Sequence, residues 1–256
     1  MGRPESTLRL SYGEEGGLEK GGQMNYVELL EQYAAGRRDF QEIILPEANL
    51  EQTDLREINL IGADLKEANL RKTNLSRAKL GCANLRGSEL SEAKLIRTNL
   101  IGANLSWAYL NLADMRWVNL REAHLTGAKL IGASLMCSDL KQAILADTKL
   151  ISADLNKADL YKANLREANL TWANLEQADL RAANLTEAKL SGASLKGANL
   201  SGATLCKANL EGADLSEANL SGADLSGAML CEVNLEGTNL TGAILNGAIQ
   251  FCRRYV

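Results

Sequence analysis

The chain has 256 residues, with 28 Lys and Arg against 32 Asp and Glu and a formal net charge of −4. That near balance argues against a polybasic nucleic-acid binder and against a strongly acidic decoy. Aromatics make up only 4% of the residues, so a core of mixed large side chains is hard to build, whereas one repeated side chain can fill an interior.

Residues 1–23 are polar and rich in Gly and Glu, as in Ser11-Tyr12-Gly13-Glu14-Glu15-Gly16-Gly17, and read as a flexible leader. Residues 24–39 read as an N-terminal helical cap. Asn25 is placed to cap a helix, and Glu28 completes a capping box. Leu29, Leu30 and Tyr33 lie on its apolar side, and Gly36 suits its end. A stacked repeat exposes an apolar end unless something covers it, so this segment is expected to act as a lid, with Phe40 starting the register. Residues 40–250 form a repeat array, and residues 251–256 break the pattern as a C-terminal tail or cap carrying Phe251 and Tyr255.

Within the array, leucine recurs at every fifth position from Leu45 to Leu245, with Met115 the one substitution. Ala commonly lies two residues earlier, and Asn or Asp stands between them. On an α-helix five residues turn the chain by about 500°, which scatters the leucines around the cylinder. On a flat strand an odd period alternates the faces. The remaining solution turns the chain once per pentad, with Ala and Leu inward, Asn or Asp outward, and two residues rounding the bend. Leu65, Leu105, Met115, Leu165 and Leu225 are then core positions. Gly is frequent at the bends, as at Gly62, Gly102 and Gly192, where its freedom is useful.

The triplets Ala63-Asp64-Leu65, Ala103-Asn104-Leu105 and Ala218-Asn219-Leu220 resemble the A(D/N)LXX pattern of the pentapeptide-repeat family. The likeness extends over the whole array, and the helical segment through Phe40 resembles the cap of cyanobacterial members. The resemblance implies an all-β solenoid, a right-handed quadrilateral β-helix with four pentads per coil and about ten coils, roughly 50 Å long at ~4.8 Å per coil. It also implies two activities known in some members. One is protection or inhibition of a type II topoisomerase by imitating DNA, and the other is regulation of cyanobacterial cell differentiation. A 50 Å length of duplex would hold roughly thirty negative charges, against a net charge of −4 here.

Groups for catalysis, cofactor or metal binding are not expected. His124 is the one histidine and takes an outward position without a fixed partner, a poor setting for a general base. Cys82, Cys137, Cys206 and Cys231 fall on four different sides of a four-sided coil, so no metal site or disulfide is expected. The odd cysteine count without a framework points to a reducing, cytoplasmic compartment. No stretch approaches 18 apolar residues, so no membrane span is expected.

With four pentads per coil, residues twenty apart are stacked neighbours. Leu112, Ile131, Ile151 and Trp172 then share one side, Trp117 and Met136 the next, and Trp107 and Tyr109 lie in the same coil as Leu112. These eight are the candidate partner surface on an otherwise polar exterior. Ile144, Met229 and Ile244 also point outward, which favours the opposite view that such residues are merely scattered. The expected function is a non-enzymatic, rigid protein-binding scaffold, regulatory in character, whose protein partner is not identified. Homodimerisation through an array end is left open, and direct nucleic-acid binding is disfavoured.

Overall fold

The structure is a computed structural model that describes residues 24–249. The leader at 1–23, Gln250, and the tail with Phe251, Cys252 and Tyr255 lie outside the described residues.

Helix α1 spans Tyr26–Ala34. The Asn25 side chain accepts the backbone N–H groups of Val27 at 2.9 Å and Glu28 at 3.1 Å. The Glu28 carboxylate accepts the Asn25 N–H at 3.2 Å. This reciprocal box satisfies donors that the first helical turn leaves without partners. Just beyond the helix Gly36 takes a φ of 100°, which glycine reaches without a Cβ penalty. Leu29 is fully buried, and Met24, Leu30 and Tyr33 pack against the same core. The Tyr33 hydroxyl donates to the Arg56 carbonyl at 2.9 Å, tying α1 to the coil that follows. Arg38 stacks 3.9 Å from the Tyr33 ring centroid, and Arg37 sits 4.7 Å from that of Phe40.

From Asp39 onward, each outward residue bridges in parallel to the residue twenty positions later. Asp39 pairs with Asn59, Asn104 with His124, and Met229 with Ile249. Twenty residues are four pentads, so each pentad forms one side of a coil. The two residues after each Leu make the turn, closed by bonds such as Ala68 N–H to Leu65 C=O at 3.1 Å. The second turn residue takes positive φ throughout, at Lys157 (58°), Arg97 (57°) and Trp172 (59°) as well as at Gly202 (65°). The left-handed backbone is therefore a rule of the coil and marks no particular site.

Hydrogen-bond accounting explains the recurring Asn and Asp. Leu65 N–H donates to Asn84 C=O at 2.8 Å, Glu67 to Arg86 at 2.9 Å, and Asn69 to Ala48 at 2.9 Å. With the turn bond at Ala68, four of the five N–H groups of a pentad find backbone partners. The fifth, on Lys66, donates to Asp64 Oδ1 at 3.1 Å. Ser76 uses Asn74, Arg166 uses Asn164, and Ser226 uses Asp224 in the same way. A short acceptor side chain two residues upstream caps the one donor that stacking leaves over.

Inside, Leu65, Leu105, Met115 and Leu165 are fully buried and Leu225 almost so, with the Ala columns buried beside them. Thr replaces Ala at positions 73 and 98. Its hydroxyl donates to the carbonyls of Leu50 at 2.6 Å and Leu75 at 2.7 Å, so the added polar atom is satisfied.

The expected secondary structure is corrected here. Among the described residues there is no β-strand and no sheet. There is one nine-residue helix, and backbone pairing consists of isolated single-residue bridges between turns. The all-β solenoid, in the form of a right-handed quadrilateral β-helix, is therefore not what is observed. The reason is local. Two residues of every five are spent on a turn, and only the outward one of the other three bridges to the next coil, so no ladder grows along the chain. The rigid β-solenoid scaffold expected as the function is corrected with it.

Replacing Leu165 with Ala should lower unfolding free energy by about 2–5 kcal/mol, because the fully enclosed site cannot collapse around the cavity. Urea denaturation of the two proteins checks this.

Candidate functional site

The twenty-residue register fixes where the eight candidate surface residues stand. Leu112, Ile131, Ile151 and Trp172 share one corner of the coil. Tyr109 stands on the face that leads into that corner, and Trp107 stands at the far edge of the same face. Trp117 and Met136 occupy the following corner, across a face carrying Asp114, Ser134 and Asp154. The candidates thus form one apolar column beside Tyr109 and Trp107, with Trp117 and Met136 held apart from it. Trp172 and Leu112 are the most open of them, at 67% and 65% exposure, whereas Ile151 and Met136 are half-buried.

Three of these side chains lie over glycines in the next coil. A Cβ on Gly192 would overlap the Trp172 ring, and one on Gly127 would overlap the Trp107 ring. A Cβ on Gly132 would meet Leu112 Cδ2 at 2.8 Å. Each large apolar group therefore rests on a corner from which the side chain has been removed. Sequence reasoning missed these pairs, although the signal was present as a large residue followed by Gly twenty positions later.

It also missed the lysines beside them. Lys129, Lys149 and Lys189 follow Tyr109 up the same face, with Asn169 between the last two. All three are exposed. Lys129 lies 4.4 Å from the Tyr109 ring centroid, a cation–π contact. None of the three makes an ion pair among the described residues. Lysine has no acceptor, so at these positions it cannot cap the amide two residues on. Ile131 N–H turns instead to Asn111 Oδ1 at 3.1 Å.

The Trp117 corner is different. Arg97 and Arg116 lie 5.5 and 5.6 Å from its ring centroid. Arg116 is bound by Asp114 at 2.7 and 2.8 Å, and this hydrogen bonding holds the Asp114 carboxyl below its ordinary pKa. The arginine charge there is already partly answered within the chain.

His124 is exposed on a different face. Cys82, Cys137 and Cys206 are free, and burial raises the Cys206 thiol above its ordinary pKa. Cys231 is disulfide-bonded, with none of the other three array cysteines as its partner. No group of three or more His, Cys, Asp or Glu is placed to hold a metal among the described residues.

The family described as pentapeptide repeats (8 copies) matches residues 43–81, 78–116, 113–150, 143–181, 183–222 and 208–247. The chain belongs to the pentapeptide-repeat family. It is 40% identical to HetL, a pentapeptide repeat protein involved in heterocyst differentiation regulation from the cyanobacterium Nostoc sp. Strain PCC 7120. That match covers 89% of this chain and 97% of HetL, with a TM-score of 0.38. Rfr23 from the cyanobacterium Cyanothece 51142 is 43% identical over 38% of this chain and 64% of its own, with a TM-score of 0.24. QnrB1, a plasmid-mediated fluoroquinolone resistance protein, is 16% identical over 83% of this chain and 93% of its own, with a TM-score of 0.40. None of these superpositions is close enough to carry a statement about this fold. No protein of curated function matches the chain.

Two substitutions test the surface geometry. Lys149→Asn should raise stability by about 0.5–1.5 kcal/mol, by supplying the acceptor that the following corner lacks. Gly192→Ala should cost about 1–3 kcal/mol more than Gly202→Ala, because both positions have positive φ but only Gly192 lies under a ring. Adding Trp172→Ser to Gly192→Ala should remove that excess in a double-mutant cycle read by thermal melts.

Proposed function

We propose that this pentapeptide-repeat protein acts by non-catalytic recognition of a protein partner. The partner would bind the corner of Leu112, Ile131, Ile151 and Trp172, together with Tyr109 and Trp107. The observation that carries this is the seating of Trp107, Leu112 and Trp172 over Gly127, Gly132 and Gly192, which leaves large apolar side chains flat against the corners and still open to solvent. Open aromatic and aliphatic groups gathered on one side of a polar exterior are what a partner can desolvate at a profit.

Residues 24–39 belong to the same proposal as a lid. The buried Leu29 and the Tyr33 contact to Arg56 support it. A cytoplasmic setting is supported by the free thiols of Cys82, Cys137 and Cys206, and the Cys231 disulfide stands against it. No helix among the described residues is long and apolar enough to cross a membrane. Self-association is the competing occupant of exposed apolar surface, and Leu245, an interior-register leucine, is 36% exposed near the end of the described coil.

Affinity capture from native extract should recover a specific protein, and Leu112→Ser with Trp172→Ser should abolish that recovery while leaving the melting curve cooperative. Light scattering of the isolated protein should give a monomeric mass. Undiminished recovery by the double variant, or a dimer broken by it, would sink the proposal.

A further inference from the structure

Lys129, Lys149 and Lys189 are hard to account for by the fold. Their positions favour Asn or Asp, which cap the amide of the next corner, as Asp64 and Asn164 do elsewhere. Lysine forgoes that bond. It also places like charges on one face, with Lys129 and Lys149 in consecutive coils about 4.8 Å apart along the axis. Repulsion at that spacing is ordinarily relieved by carboxylates, yet none of the three is ion-paired among the described residues. The corner on the apolar side carries no Asp or Glu between Glu92 and Glu211. The opposite corner does hold Asp147, Glu167 and Glu187, but Glu167 binds Arg166 and Glu187 lies 4.0 Å from Lys207. Lysine charge with no ion pair among the described residues therefore runs alongside Leu112, Ile131, Ile151 and Trp172, on a chain whose net charge is −4, with Asp147 the one carboxylate of those three that no other cation draws off.

Resting on the recognition surface described above, we propose that its occupant is an acidic peptide segment bearing apolar side chains. Its carboxylates would lie along Lys129, Lys149 and Lys189 and its apolar groups along the adjoining corner. Charge complementarity of this kind sets the partner and its orientation, and apolar burial supplies much of the affinity. Tyr109 to Lys189 spans four coil steps, about 19 Å, which an extended segment of roughly six residues covers. A nucleic acid fits less well. Although Trp107, Tyr109 and Trp172 are exposed, Leu112, Ile131 and Ile151 put aliphatic groups in the corner column where single-stranded nucleic acid uses successive aromatic stacking platforms. Three lysines on an acidic chain also make a weak phosphate track.

Fluorescence anisotropy of the full chain with labelled peptides tests this. The probes are a short Glu/Leu peptide, its Lys/Leu counterpart, a polyglutamate and a duplex DNA oligonucleotide. The Glu/Leu peptide should bind best and weaken as salt rises. Binding should fall about tenfold or more when Lys129, Lys149 and Lys189 are changed together to Glu. Lys149→Asn alone should weaken binding without lowering the melting temperature, since Asn is the residue the coil favours there, so that loss cannot be laid to unfolding. Equal binding of the Lys/Leu peptide, indifference to both lysine variants, or preferential binding of DNA through these lysines would overturn the proposal. If native partner capture survives the lysine changes but still requires Leu112 and Trp172, the acidic occupant is wrong and the recognition surface stands. If capture never depended on Leu112 and Trp172, the surface itself is wrong.

Discussion

Backbone pairing in a register of twenty residues governs the molecule. Once each coil donates to and accepts from the next, every position in a pentad has a fixed duty. Four N–H groups are consumed by stacking and by the turn, and the fifth needs a side chain. The Leu and Ala columns follow because the interior of such a coil has one width along its length. The Asn and Asp columns follow because the leftover donor must be met two residues upstream, as Asp64 meets Lys66. The positive φ of the second turn residue is equally obligatory, so Trp172 and Lys157 adopt what glycine adopts more cheaply.

That regularity makes departures informative. A residue that satisfies the pentad's requirements tells nothing about function, whether it is an interior leucine or an acidic Asx cap. Lys129, Lys149 and Lys189 fail those requirements, because a side chain without an acceptor stands where an acceptor is needed. Trp107, Leu112 and Trp172 meet the backbone requirement but need a bare glycine in the next coil to lie down. Their presence implies matched choices at two positions twenty residues apart. The lysine face and the apolar corner are adjacent, which gives this side of the protein a chemical character that the others lack. At Trp117 the comparable arginine is drawn off by Asp114.

The helix α1 shows how far short-range rules reach. Asn25 and Glu28 are three residues apart, and the capping box between them needs nothing beyond that spacing. The attachment of α1 to the coil is another matter, because Tyr33 reaches the Arg56 carbonyl through tertiary placement.

The sequence alone determined the inward and outward sets. A period of five with Leu and Ala two apart leaves one way to bury both, and the register never slips. It determined family membership too, since the pattern is itself the signature. It did not determine the secondary structure, where an expected β-helix gave way to isolated bridges between turns. How long an extended run survives depends on turn geometry, not on which side chains point inward. Nor did it show which outward residues lack a partner. Ion pairing and ring seating depend on the side chain one coil away, and only the tertiary structure places Trp172 on Gly192 and leaves Lys149 without an ion pair among the described residues.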